Sequence, residues 1–300
     1  MRDKLGSLEL LQIFMSQNKK PLILALTEDY FVIPRLEDAA TALGFEIEVI
    51  DAPGALGAEG DPVERKVPLT EPLEGPDAAF IRGIVDRRPA LMLVDVTSQE
   101  LPWERWTQIL KTSAATRRIP ILAFGPHVDT QVLQRARAAG ADQVVSRGRL
   151  QASLPELILK HARVLDFEGL NKACDGQLSD LAAEGLELLN GGEYYEAHEY
   201  LERAWIKAPE LEGNLYRALL QVSVAYLQVE RGNYAGAVKM LLRLRQWLEP
   251  LPDRCRGVDV AALKSNVAEF SKALDQAGEE GISELDRAYL KPVPLFAQAL

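Results

Sequence analysis

Leu91-Met92-Leu93-Val94-Asp95 decides the reading of the first half of the chain. Four apolar residues in unbroken succession, with no polar alternation, fit a short strand covered on both faces, as in a parallel sheet. Outward from it, runs of the same kind recur at Leu22–Leu26, Ile47–Ile50, Ile121–Phe124 and Val144–Val145. Helix-period segments lie between them, at Ile33–Leu43, Ala78–Asp86, Trp103–Thr112 and Val132–Ala139, and Leu154–Leu165 follows the last. Five strands alternating with five helices predict a doubly wound α/β unit around a five-stranded parallel sheet. Gly44 and Gly140, each just ahead of a strand, read as helix C-caps. Ala52–Pro76 is out of scale: five Pro and four Gly make it a long surface loop.

The second half is of another kind. Leu178–Asn190, Tyr195–Lys207, Glu212–Glu230, Tyr234–Leu248 and Asp259–Ala277 repeat at 3.6 residues, with no strand pattern among them. Gly191–Gly192, Pro209, Gly232–Asn233 and Pro250–Pro252 separate them. Gly192-Glu193-Tyr194-Tyr195-Glu196-Ala197 returns as Gly232-Asn233-Tyr234-Ala235-Gly236-Ala237, a paired-helix logic with too few copies for a solenoid. The expected organisation is therefore α/β plus all-α. A helical extension over 1–20, amphipathic through Leu5, Leu8, Leu11 and Met15, precedes the α/β domain at 21–165. A linker at 166–177, a helical bundle at 178–277 and a tail at 278–300 follow.

Composition narrows the function classes. The chain of 300 residues has a net charge of −10, which disfavours a nucleic-acid binder. The charge is uneven: residues 166–300 carry 14 Lys and Arg against 22 Asp and Glu, so the helical half is no DNA-binding output module. No apolar run nears the ~18 residues of a membrane span. Cys174 and Cys255 are the only cysteines and form no CxxC pair, an argument against a zinc ribbon or disulfide scaffold and for a reducing, cytoplasmic setting.

Five strands in the flavodoxin-like order 2-1-3-4-5 place ligands at the carboxyl edge of the sheet. The residues there resemble the response-regulator receiver family, in part. That chemistry needs a nucleophilic Asp after the third strand, an acidic pair after the first to hold Mg²⁺, a hydroxyl after the fourth and a Lys after the fifth. Asp95 supplies the first, and Glu28 and Asp29 can supply the second. Strand four, however, ends Ala123-Phe124-Gly125 without a hydroxyl, and Arg147 stands where the Lys belongs. A guanidinium does not copy a compact ammonium, so the domain reads as a degenerate receiver. Asp29-Tyr30-Phe31 with Arg35-Leu36-Glu37, and Phe124-Gly125-Pro126-His127-Val128-Asp129 with Ala136–Asp142 and Ser146-Arg147, resemble a group of receiver-like domains of unassigned function. His127 lies at the same edge and reads first as a capping or loop-fixing residue. Arg147 and Arg149 can bind an anion there or pair with Asp95. No GxGxxG or P-loop points to a nucleotide.

In the helical half the sharpest motif is Glu196-Ala197-His198-Glu199-Tyr200-Leu201-Glu202-Arg203-Ala204-Trp205. His198, Glu199, Glu202 and Trp205 fall within one helical face, bracketed by Tyr194 and Leu201, so partial burial is expected. With Ala218–Val222, Arg231-Gly232-Asn233 and Gly236-Ala237, the motif resembles the bacterial domain-of-unknown-function family 309, small helical domains without an established activity. Gln228 stands where many relatives have a His. Three readings compete. Glu196, Glu199 and Glu202 are structural, bonded to backbone ends or to Arg217 or Arg231, with His198 in the network. His198 and Glu202 bind a metal as two ligands one turn apart, with Glu199 as a base, though no third ligand is visible. Trp205 and Tyr226 wall a pocket for a partner helix or small ligand. The structural reading is preferred, with no cofactor and no metal.

The whole suggests a non-catalytic cytoplasmic regulatory or scaffold protein with an unidentified protein partner and neither nucleic acid nor membrane as partner. The alternative is a metal-dependent hydrolase centred on the ExHExxE helix. Leu150, Leu154, Leu157, Ile158 and Leu165 give the last α/β helix more apolar residues than one core face needs, so a two-fold homodimer is expected.

Overall fold

The computed structural model describes residues 20–61 and 73–296. The expected extension at 1–20 lies almost wholly outside the described residues, as does the middle of the Ala52–Pro76 loop. Its start forms a 3₁₀ turn over Pro53–Leu56. The chain divides into two compact units, residues 1–165 and 166–300.

Unit 1 is a parallel α/β sandwich. Its strands are β1 (Leu22–Leu26), β2 (Glu46–Ile50), β3 (Leu91–Asp95), β4 (Ile121–Gly125) and β5 (Gln143–Ser146), in the order β2-β1-β3-β4-β5. All neighbouring pairs are parallel. This is the flavodoxin-like order, with the central strands sealed on both faces. The helices are α1 (Ile33–Ala42), α2 (Gly75–Arg87), α3 (Trp103–Thr112), α4 (Thr130–Ala138) and α5 (Arg147–His161). Leu36 and Ala40 of α1 join Leu150, Leu154, Leu157 and Ile158 of α5 against one face of the sheet. Phe80 of α2 and Trp106 of α3 stack at 4.3 Å and are both buried. Helix α5 starts seven residues earlier than the periodicity suggests, because Ser146 caps it by accepting from Arg149 N–H and a kink at Ser153 leads into Pro155.

Unit 2 is an all-helical bundle with one small hairpin. It comprises α6 (Phe167–Cys174), α7 (Asp180–Gly191), α8 (Tyr194–Lys207), α9 (Gly213–Glu230), α10 (Tyr234–Leu248), the hairpin β6 (Arg254–Cys255) and β7 (Val258–Asp259), and α11 (Val260–Gly281). Asp166, Ser179, Asn233 and Asp259 cap α6, α7, α10 and α11 through side-chain oxygens. Helices α7 and α8 meet closely at Gly185, where a Cβ would lie 2.9 Å from Leu201 Cγ.

Three expectations are corrected here. The stretch 166–177 is no linker: α6 buries Leu170 and Cys174 in the bundle core. Nor is 278–300 a free tail, since Val293 is buried and exchanges two hydrogen bonds with the Asn190 side chain, and Tyr226 donates to the Lys291 carbonyl. The cysteines, whose spacing argued against a disulfide scaffold, form the disulfide Cys174–Cys255.

Candidate functional site

At the carboxyl edge of unit 1, strand ends bring Thr27, Glu28 and Asp29 after β1, Asp95 and Thr97 after β3, and Arg147 after β5 into one cluster. Asp95 is 1% exposed, so its carboxylate needs compensation. Its Oδ1 accepts from the Thr97 N–H at 3.0 Å and the Thr97 hydroxyl at 2.7 Å. Its Oδ2 accepts from the Thr27 hydroxyl at 3.1 Å and from Arg147 Nη2 at 2.9 Å. Arg147 Nη1 pairs with Asp29 Oδ2, and Nη2 also donates to the Thr97 hydroxyl. One guanidinium thus bridges the two carboxylates.

The remaining acceptors are also engaged. Asp29 Oδ1 accepts from the Phe31 N–H. Both oxygens of Glu28 accept backbone N–H groups, from Gln99, Glu100 and Leu101. A receiver's Mg²⁺ needs carboxylate oxygens free to face it. Here Glu28, Asp29 and Asp95 are committed to backbone, hydroxyl and guanidinium donors, so the residues present do not fit the metal. A hydroxyl side chain cannot be added at the end of β4 without rearrangement either, because a Cβ on Gly125 would lie 2.5 Å from Val96 Cγ2.

Of the residues that the sequence placed at this edge, Asp29, Asp95 and Arg147 meet, whereas Glu28 is held by the backbone N–H groups of Gln99, Glu100 and Leu101. His127 is exposed and lies outside this hydrogen-bonded cluster. Asp129 caps α4 in its stead, by accepting from Val132 N–H. Thr27 and Thr97 were missed, though the Asp95-Val96-Thr97 spacing is that of a side chain folding back on its own turn. Around the cluster, Tyr30, Phe31 and Val128 are 70%, 93% and 76% exposed.

In unit 2, α8 turns Tyr194, Ala197, Leu201 and Ala204 into the core. That stripe puts Glu196, Glu199 and Glu202 on the solvent side, where all three are exposed and make no hydrogen bond or ion pair among the described residues. The expected buried carboxylate network is therefore absent from α8. His198 is half-buried and donates from Nδ1 to the Tyr195 carbonyl at 2.7 Å. Among the described residues no group of three or more His, Cys, Asp or Glu side chains is placed to hold a metal ion. Trp205 and Tyr226 do not wall a common pocket. Tyr226 packs edge-on against Tyr194 and Phe270, and burial pushes its phenol well above the ordinary range. Trp205 instead covers the Arg217 guanidinium, whose Cζ lies 4.7 Å from its ring and 4.4 Å from that of Trp247. Gln228 accepts from Asn233 Nδ2 at 2.7 Å and so belongs to the turn into α10.

No curated protein matches the chain. Among solved structures, the Vibrio cholerae chemotaxis protein CheY4 is 11% identical, over 48% of this chain and 99% of that one, with a TM-score of 0.34. A CheY-like response regulator receiver domain protein from Methanospirillum hungatei JF-1 is 13% identical, over 47% and 93%, also at 0.34. Full-length FixJ from B. japonicum is 16% identical over 76% and 99%, at 0.31. The fold of unit 1 rests on its own strand order and register. In unit 2, residues 182–240, from the first turn of α7 into α10, match the family model "Domain of unknown function (DUF309)".

Proposed function

We propose that this chain is a non-catalytic regulatory or scaffold protein of the cytoplasm, whose receiver-like unit works by fixed shape and whose helical unit is an interaction module. The observation that carries this is Arg147, whose guanidinium joins Asp29 to Asp95 where receiver chemistry requires a metal and a mobile Lys. An arginine stays charged at all physiological pH, so the pairing does not switch itself off. Transfer to Asp95 would require donors preorganised around the incoming phosphoryl group, and both Nη groups of Arg147 are already engaged by carboxylate. Support for a protein partner comes from Tyr30, Phe31 and Val128, large apolar side chains left in water beside the cluster. Of the apolar residues that suggested pairing through α5, Leu150, Leu154, Leu157 and Ile158 are buried within unit 1, and Leu165, 40% exposed, lies beyond the end of the helix. A second copy of the chain is thus proposed to meet the exposed edge residues, and light scattering that stays monomeric at high micromolar concentration removes that partner.

Incubation with acetyl phosphate and Mg²⁺ followed by intact-mass measurement tests the central claim. The expected result is an unchanged mass. A phosphoryl adduct that disappears in Asp95→Asn would overturn it.

A further inference from the structure

The Cys174–Cys255 bond closes a sequence separation of 81 residues, so the whole of α7 through α10 lies inside one covalent loop. Its two ends are unequal. Cys255 is in the hairpin, 2% exposed and fixed by the β6–β7 ladder. Cys174 is the last residue of α6, an eight-residue helix and the first element after the boundary between the units. A helix that short does not stand alone in water. Among the ties of α6 to the bundle are the burial of Leu170 and Cys174, the close packing of Leu211 on Gly169, the disulfide, and one arginine. Arg256, in the hairpin turn, donates its N–H to the Cys174 carbonyl, Nε to Ala173 O and Nη1 to Gln177 O, while Nη2 pairs with Glu212. It does so from a left-handed conformation, φ 50°, unusual for a residue with a Cβ. The hydrogen bonds from the hairpin to Ala173, Cys174 and Gln177 all come from Arg256, next in sequence to the disulfide's Cys255. Beyond Cys174 the chain runs through exposed Asp175, Gly176 and Gln177 to the cap of α7.

We propose that Cys174–Cys255 is a reversible redox clasp for α6. The inference rests on the cytoplasmic setting proposed above, for disulfides in reducing compartments are mostly transient and redox-sensing. Cys174 is itself buried, 7% exposed, so the attack follows a transient opening of α6: a thiolate of a dithiol reductant attacks Cys174 Sγ, the S–S bond breaks, and Cys255 leaves as a thiolate. The second thiol of the reductant resolves the mixed disulfide. The reductant ends as its own cyclic disulfide and the protein as two thiols, having taken up two electrons and two protons. The core of α7 to α11 persists. Helix α6 loses its covalent tie and opens more often, releasing the chain from residue 166 toward Ser179. This inference does not depend on whether Asp95 is phosphorylated.

Hydrogen exchange of the full chain, aerobic against dithiothreitol-treated, is the test, with alkylation under denaturing conditions to count thiols. Aerobic protein should take up no alkyl group and reduced protein two. On reduction the amides of 167–174 should exchange about tenfold or more faster while α8 and α9 stay within about twofold, as expected for a local opening. Re-oxidation should restore the slow rate. Cys174→Ser with Cys255→Ser should exchange fast in both conditions, and if that variant does not fold, the wild-type comparison alone decides. Two free thiols in aerobic protein overturn the proposal. So does unchanged exchange in α6, or equal acceleration across α7 to α9, which would make the bond a general staple.

Discussion

The two units treat charge in opposite ways. Unit 1 buries two carboxylates, Asp77 and Asp95, and meets each with a guanidinium, Arg105 and Arg147. Among the described residues, unit 2 buries no carboxylate: its buried polar side chains are hydroxyls, those of Tyr194, Tyr216, Tyr226 and Ser223, the last donating to the Tyr194 carbonyl. Its acids face water. An acid-rich motif therefore marks a built polar centre only where the backbone carries it inward. At the ends of parallel strands, side chains converge on one edge, and Asp95 has nowhere to go but the cluster. On an amphipathic helix such as α8, three glutamates sit opposite the apolar stripe and solvate freely.

That contrast can be broken by mutation. The largest effect is expected for Arg147→Ala, which leaves a buried carboxylate with only hydroxyl and backbone donors and should cost about 3 kcal/mol in chemical unfolding. Arg147→Lys should recover part, since a point charge cannot bridge both acids. A loss below about 1 kcal/mol for the alanine variant would place Asp95 in an ordinary surface environment after all. Next comes Trp205→Ala, which uncovers Arg217. Because Trp205 is only half-buried, about 2 kcal/mol is expected, short of the value for a fully buried indole. Glu202→Ala should then shift unfolding by no more than about 0.5 kcal/mol, as for other exposed sites. The motif read alone predicts a substantial loss instead, so this variant sharpens the comparison most directly. The smallest effect concerns pH. A hydrogen bond from Lys291, then its charge, hold the exposed Glu269 carboxyl below the usual range. A depressed folded value means the contribution is present above the ordinary Glu range and fades as pH falls through the folded value. Exchange protection of residues 286–296 should accordingly weaken slightly in acid and stay level near neutrality.

Much of unit 1 was legible because a strand buried on both faces writes an unbroken apolar run. Leu22–Leu26 and Leu91–Asp95 needed no context. The site was half legible for the same reason: strand ends fix Asp29, Asp95 and Arg147, whereas the Thr27 and Thr97 hydroxyls look like any turn residue until the acid beside them is known to be buried. Helix α6 left little pattern, with Leu170 and Cys174 its only fully buried positions. The two-residue strands of the hairpin are too short to show a period, and their Arg256-Gly257 turn lacks the usual Asn-Gly. The disulfide could not be read, because residues so far apart in sequence meet only through the packing of the whole bundle. On α8 the error was one of phase. Ala197 and Ala204 are the core positions there, and small residues carry a weak signal beside the conspicuous His198 and Trp205.

Gly125 and Arg147 together have a consequence for time. A carboxyl phosphate is a clock: it forms, hydrolyses and leaves its domain reset, at the cost of a phosphoryl donor in each cycle. On the function proposed above, an edge closed by a guanidinium keeps no interval and resets nothing. Information routed through such an edge is carried by how many copies the cell makes and what fraction of them is occupied. Its tempo is then set by synthesis and dissociation, processes whose rates are written elsewhere than in this sheet.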